Sequence, residues 1–531
     1  MVRSPGLALH TLFFLSGAAA LAYEVLWMRR FSVLLGATAP AVAAALTAFF
    51  VGLGLGSYLL GRLAPRLARP LRAFAALEIV TALSALAVEP LLGAIQPVYA
   101  WLYGASGESL AFHLTLRIGV AVVAVLVPET AMGGTLPVLA QLVSARAQSL
   151  GVRAGGLYAV NTLGAACGAL AVPAVLLPSL GASGALAAVV ASSLVVAAGA
   201  LLLARQMEAL AAPGPPKRES LAGRSLRGGT LALAFVSGGI TLGLQGLATR
   251  AFALVHENSV YSFATVLAVF LAGLGGGAAL ARAALQRGIA ARELVAIGWA
   301  GAGAWMVLLP VLFVRATGLD YVTGGRLLAH EAYLGALVAA TLLAPSVLLG
   351  LVLPALMQEE GEATRQGGPA VGAILAANTA GAILGPLIAL FALAPGQGLW
   401  TAVSFLGGLS ITCAAIAARG ARRAVRGTLG AAAAITAAAF LVIPPGSVPR
   451  MKLSDTDRLL DLREGAFGSV AVVQHNGHRR IKLNNFYVLG GTAAAGDERL
   501  QGHIPLLLHP RPDRVAYLGL GTGISLSAIL F

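Results

Sequence analysis

The feature that most constrains this chain is a succession of apolar stretches, each close to the length that crosses a bilayer. A hydrocarbon layer of about 30 Å needs about 20 helical residues. Twelve such stretches lie near 7–27, 37–61, 71–95, 114–141, 155–178, 182–204, 228–249, 260–285, 290–314, 333–357, 369–393 and 397–418. A thirteenth, weaker stretch runs from Thr428 to Ile443. Its roughly 17 residues reach only about 25 Å, which is marginal for a span. Gly430 to Ile443 nevertheless holds no charge and no polar face, and Pro444-Pro445 follows. An interfacial helix needs a polar face, so the expectation is that this stretch crosses. Composition agrees with a lipid environment: 58% of the 531 residues are hydrophobic and only 11% are charged, against about 25% charged in a soluble domain. The bilayer is the expected partner.

A net charge of +15 raises the question of nucleic acid, but the placement of the basic residues excludes it. They sit in short loops between apolar stretches, and no basic stripe interleaved with aromatics occurs. With the N-terminus inside, 20 Lys and Arg fall on the cytoplasmic side and 6 on the other, among them Arg29, Arg30 and Arg250. This bias sets an N-in orientation. The first apolar stretch is read as a span and not as a cleaved signal, because it has a counterpart deep in the chain. Cys167 and Cys413 both lie inside apolar stretches, which argues against a disulfide framework. The eight histidines show no ligand spacing, and no metal site is expected.

The two halves of the apolar region repeat each other. Phe14, Ser16 and Gly17 fall on Phe235, Ser237 and Gly238 at an offset of 221, as Arg29 falls on Arg250 and Gly52, Gly54 and Gly56 on Gly273, Gly275 and Gly277. Further along the offset is 217: Pro128, Gly133 and Pro137 fall on Pro345, Gly350 and Pro354, and Asn161, Gly164 and Gly168 on Asn378, Gly381 and Gly385. Six spans repeated in the same orientation resemble the plan of major-facilitator transporters. The expected fold is therefore an all-α polytopic membrane protein of two repeated six-helix bundles, at 1–204 and 228–418. A cytoplasmic linker at 205–227, rich in Pro, Ser and charge, joins them. A basic linker with the thirteenth span follows at 419–445, then a soluble segment at 446–531.

Ionisable and amide groups inside spans are costly and mark candidate sites. Glu24 lies in the first span, with Gln245 as its repeat mate. It either serves a site or pairs with Arg29 or Arg30, about one turn away. Asn161 and Asn378, themselves mates, either face a shared cavity or hydrogen-bond across helices and hold the bundle together; the second reading is favoured. Glu129 and Ser346 are mates beside Pro128 and Pro345, prolines that free backbone carbonyls. The Gly-x-Gly runs at 52–56 and 273–277 lie within spans and serve close packing.

Beyond Gly446 the composition becomes that of a soluble domain. Ser469–Gln474 and Arg479–Leu483 read as strands joined by an Asn476-Gly477 turn, Phe486–Leu489 as a short third strand, and Glu498–Leu508 as a helix. Arg514–Leu518 reads as a strand running into Gly519-Leu520-Gly521-Thr522-Gly523 and a helix from Ile524. Strand, glycine turn and helix form the opening of a Rossmann-like nucleotide site.

The run His503-Ile504-Pro505 to Val515, followed by Gly-Leu-Gly-Thr-Gly, resembles spermidine synthases. Together with Phe14–Gly17, Tyr23–Trp27 and Leu157–Ala165, it makes most of the chain resemble bacterial membrane proteins in which a major-facilitator-like region is fused to a spermidine synthase-like domain. That resemblance implies a protein of the bacterial inner membrane. It implies aminopropyl transfer from an S-adenosyl-type nucleoside donor held at Gly519, Gly521 and Gly523, with Asp497 and Glu498 near the acidic substrate-binding stretch and a polyamine or other small molecule as ligand. Phe467-Gly468 stands where the family has Tyr-Gln. The acidic residue for the donor's ribose and the catalytic aspartate would lie beyond Phe531, so the expectation is of a C-terminally truncated chain that does not complete the transfer. The alternative is a transporter or membrane scaffold with a degenerate, ligand-binding soluble domain. Crossing by the thirteenth stretch would place that domain outside, away from a cytosolic donor.

Overall fold

A computed structural model describes residues 5–35, 39–105, 109–143, 150–210, 227–257, 260–322, 327–364, 367–419, 422–465 and 468–530. Most of the central linker (211–226), together with Arg146 and Phe467, lies outside the described residues.

Backbone groups in hydrocarbon must be satisfied within their own segment, so each apolar stretch becomes a helix. The first bundle consists of α1 (Pro5–Leu35), α2 (Ala39–Leu63), α3 (Pro70–Ala105), α4 (Leu110–Val143), α5 (Leu150–Ala171) and α6 (Leu177–Leu210). The second consists of α7 (Gly228–Phe252), α8 (Val260–Gln286), α9 (Ala291–Thr317), α10 (Leu327–Val338, continued by Ala344–Gly350 and Val352–Thr364), α11 (Gly367–Ile388, continued by Ala394–Gln397) and α12 (Leu399–Ala417). Residues 150–208 form one continuous helical path of 59 residues, about 88 Å if straight. It turns at Gly181, whose φ is +66°. The repeat mate of Gly181 is Gly398, φ +89°, at the turn between α11 and α12. Both turns need a left-handed residue, which glycine supplies without steric cost.

The repeat extends to finer detail. One π-helical turn, Val172–Leu176, precedes Pro178, and another, Ala389–Leu393, precedes Pro395; all these positions match at an offset of 217. A proline cannot donate to the preceding turn, and the wider turn absorbs the mismatch. A third π-turn, Ala339–Leu343, precedes Pro345, and the Thr341 carbonyl accepts a 2.8 Å hydrogen bond from the Trp305 indole.

Close packing also repeats. A Cβ at Gly17 would fall on the backbone carbonyl of Asn161, and one at Gly238 on that of Asn378. Gly164 and Gly381 lie in the same way against Phe14 and Phe235. Small residues thus bring α1 onto α5 and α7 onto α11 with backbones in contact.

The expected thirteenth span is α13 (Arg423–Val442). Its 20 residues reach about 30 Å, about one turn more than the sequence reading allowed. It packs on α9 and α12 and is otherwise exposed, with Leu441 and Val442 at 80% and 77%. Its N-terminal Arg423 and Arg426 lie with the basic loops, and its far end delivers the chain to the opposite end of the bundle.

There a four-stranded antiparallel meander forms: β1 (Asp457–Glu464), β2 (Ser469–His475), β3 (His478–Leu483) and β4 (Tyr487–Gly491). Asn476 and Gly477 both have positive φ, as the two-residue turn requires. The helix α14 (Ala495–Leu508) and a single turn, α15 (Ile524–Ser527), follow. The expected strand Arg514–Leu518 does not form. Among the described residues no neighbouring strand offers it a ladder, and Leu518 is fully exposed. Strand β1 was not foreseen, because Arg458-Leu459-Leu460-Asp461 breaks the alternation of a half-buried strand.

Candidate functional site

The first bundle holds two carboxylates at membrane depth that form no salt bridge among the described residues. Glu129 lies on α4, next to Pro128, and is 0% exposed. Gly52 on α2 leaves room for its Cβ. Neither carboxylate oxygen has a hydrogen-bond partner among the described residues. Glu24 of α1, itself half-buried, lies within electrostatic reach of it. Glu24 does not pair with the neighbouring arginines: Arg30 pairs with Glu89 of α3, and Arg29 is exposed. Beside Glu24, Tyr23 stacks on Trp27 with ring centroids 5.3 Å apart, and its hydroxyl donates to Ser193 Oγ at 3.4 Å. The Trp27 indole nitrogen is buried with no hydrogen-bond partner among the described residues. A third carboxylate, Glu78 of α3, is settled by Ser16 Oγ at 2.5 Å.

An isolated ionised carboxylate away from water is strongly disfavoured. Glu129 is therefore stable in one of two conditions, carrying a proton or meeting a cation. The corresponding site in the second bundle has neither feature. Gln245 replaces Glu24 and is buried. Ser346 replaces Glu129, and its hydroxyl donates to the Leu342 carbonyl one turn back.

Asn161 and Asn378 take the structural role. Asn161 Nδ2 donates to Phe13 O at 3.1 Å and Asn378 Nδ2 to Ala234 O at 3.2 Å, matching bonds in the two bundles. Each ties the fifth helix of its bundle to the first.

The soluble module docks on the second bundle. Arg250, buried at the end of α7, donates to Ser469 Oγ at 2.9 Å and to Gly465 O at 3.4 Å. Glu464 accepts from the Leu399 amide at 2.5 Å and pairs with Arg450. Lys452 pairs with Asp320, and Phe486 packs on Tyr321. Within the module, Asp457 accepts from Ser454 N, His475 and Arg480. Burial pushes its carboxyl up, but the Ser454 amide, His475 and Arg480 together outweigh burial and hold it lowered to about 2.

The glycine turn is built as the sequence suggests. Gly519, Gly521 and Gly523 have φ of +93°, +53° and +75°, conformations open to glycine. Glu498 braces it: one carboxylate oxygen accepts from Gly491 N at 2.8 Å, the other from Thr522 Oγ1 at 2.5 Å. Asp497 is exposed. The structure thus holds Glu498 against the glycine turn and sets Glu24 within electrostatic reach of Glu129 in the first bundle. Sequence reasoning missed Glu78 and gave Glu129 too little weight, although a lone Glu beside Pro in an apolar run was the available signal. No sequence signal pointed to the Glu464–Leu399 bond.

No protein-family model matches the sequence, and no curated protein matches it. Solved structures do. A bacterial homologue of the iron transporter ferroportin, in an outward-facing state, aligns at a TM-score of 0.50 and 13% identity, over 78% of this chain and 98% of that one. FucP, a major facilitator superfamily transporter in the outward conformation, aligns at 0.49 and 15%, over 79% and 99%. The likeness shows the fold: the membrane region has the major-facilitator architecture.

Proposed function

We propose that the chain is a transporter of the bacterial inner membrane for a small solute, with the Glu24–Glu129 pair as its proton- or cation-binding centre. The observation that carries this reading is Glu129, fully buried with both oxygens unpartnered among the described residues. A packing role would favour an apolar residue there, and a structural role would supply partners, as Ser16 does for Glu78. Ionisable groups kept in spans at such a cost belong to ion and proton paths. A small amine such as a polyamine fits the same carboxylates, with the Tyr23 and Trp27 rings beside them. The excess of basic residues at one end puts that end in the cytoplasm and the soluble module outside.

The test needs no known solute. With Val98→Cys and Tyr333→Cys spin-labelled at the outer ends of α3 and α10, the full chain in lipid should give two distance populations, and Glu129→Gln should change their ratio. One fixed distance in both proteins would mean a static scaffold.

A second reading has support in the glycine turn: the module binds an S-adenosyl-type nucleoside. The three left-handed glycines leave backbone free for a ligand, and a Cβ at Gly519 would meet open space. When bound, such a donor would supply an activated alkyl group. The residues that would hold it are Gly519, Gly521 and Gly523, with Glu498 keeping the turn in shape. Glu498, the acid that touches the turn, is engaged by Gly491 N and Thr522 Oγ1, and no transfer step is assigned to it. Gly521→Val should abolish nucleoside binding in calorimetry on the full chain; unchanged binding would exclude this site.

A further inference from the structure

The two bundles meet at their basic ends through two hydrogen bonds that are repeat mates of each other. Gln358, near the end of α10, accepts from the Gly151 amide at the start of α5 at 2.8 Å. Gln141, near the end of α4, accepts from the Gly368 amide at the start of α11 at 3.1 Å. Gln141 and Gln358 are 217 residues apart, as are Gly151 and Gly368. In each case a glutamine within the last two turns of one bundle's fourth helix reaches the first turn of the other bundle's fifth. The glycines permit the approach: a Cβ at Gly151 would crowd the Pro354 carbonyl, and one at Gly368 lies 3.2 Å from the Pro137 carbonyl. Pro137 and Pro354 are mates as well.

We propose that Gln141 and Gln358 form a reciprocal latch that holds the basic ends of the bundles together. The first amides of a helix have no intrahelical acceptor, and here the opposite bundle supplies it. Parting of the bundles would strand both amides, so each bond opposes opening. The hydrophobic contacts agree with closure at this end. Residues of both bundles, among them Leu139, Leu150, Leu353 and Leu356, share one buried cluster there. Toward the other end, the first bundle's residues such as Phe31 and Val88 form a separate cluster, to which the second contributes Ala268. The latch therefore favours a state shut at the basic end and parted at the other. Its use, to set the resting state of a transport cycle, rests on the transport reading; the closure itself does not.

The test labels Arg66→Cys and Arg287→Cys, exposed on the basic side of each bundle, in full chain carrying Cys167→Ser and Cys413→Ala, and reads spin–spin distances in lipid. Losing one such bond should shift the ratio of closed to open about tenfold, and Gln141→Leu with Gln358→Leu should shift it about a hundredfold toward longer distances. Gln141→Glu keeps the acceptor oxygen and should stay closed. Gln141→Asn, one methylene short of reach, should open like Gln141→Leu and guards against misfolding of the latter. Unchanged distances in both the double Leu variant and Gln141→Asn, or opening in Gln141→Glu, would overturn the latch. The outer-end distances of the wild-type chain report separately on the transport reading.

Discussion

The two bundles share a backbone and differ in chemistry. Glycine contacts, π-turns, left-handed turns and the Asn161 and Asn378 bonds recur at matched positions. The ionisable residues do not. The first bundle carries Glu24 and Glu129 where the second has Gln245 and Ser346. The second buries Arg250 beneath the soluble module, while its mate Arg29 stays exposed. The packing recurs because it constrains both halves alike. The polar positions, each costly in lipid, differ: the first bundle carries carboxylates at membrane depth, and the second docks the soluble module.

The largest expected effect falls on what is shared. Gly164→Val and Gly381→Val each push a side chain into a backbone carbonyl of the neighbouring helix, and overpacking of this kind costs about 3 kcal/mol. Thermal unfolding in detergent should show similar losses for both. A large loss in one bundle alone would break the equivalence.

Next come the arginine mates. Arg250→Ala removes a charged hydrogen bond to Ser469, a loss of about 1.5–3 kcal/mol, and should raise hydrogen exchange in β1 and β2. Arg29→Ala, at an exposed position, should change stability by less than about 0.5 kcal/mol. Equal effects would deny that only the second bundle is specialised for docking.

The smallest effect concerns pH within the docked module. The Asp457 carboxyl is held at about 2 against about 3.9 when unfolded. A depressed folded pKa gives stability that is fully present above about pH 4 and is lost as pH falls through about 2. Asp457→Asn should flatten the acid loss of module structure across that window, as followed by exchange in β1 to β3.

Much of this was legible in the sequence. The spans, the repeat and the Asn476-Gly477 hairpin follow from apolar run length, constant offsets and turn chemistry, all local signals. Nearness in sequence leaves Arg29 and Arg30 open as partners of Glu24; the choice is settled only in three dimensions, where Arg30 turns to Glu89 on another helix. The orphan state of Glu129, the reciprocal bonds of Gln141 and Gln358, and the burial of Arg250 depend on contacts between residues far apart in the chain. No periodicity records them. The apolar pattern of Arg514–Leu518 suggested a strand, but a strand needs a neighbour that pattern alone does not provide.

The most direct test of the specialised first bundle is an infrared titration of carboxyl groups in the full chain in lipid. If Glu24 and Glu129 share one centre, their carboxyl bands should titrate in two coupled steps. Either Glu24→Gln or Glu129→Gln should collapse these to a single step, while Gln245→Ala and Ser346→Ala should leave both unchanged. Two independent steps, each indifferent to loss of the other residue, would contradict the account.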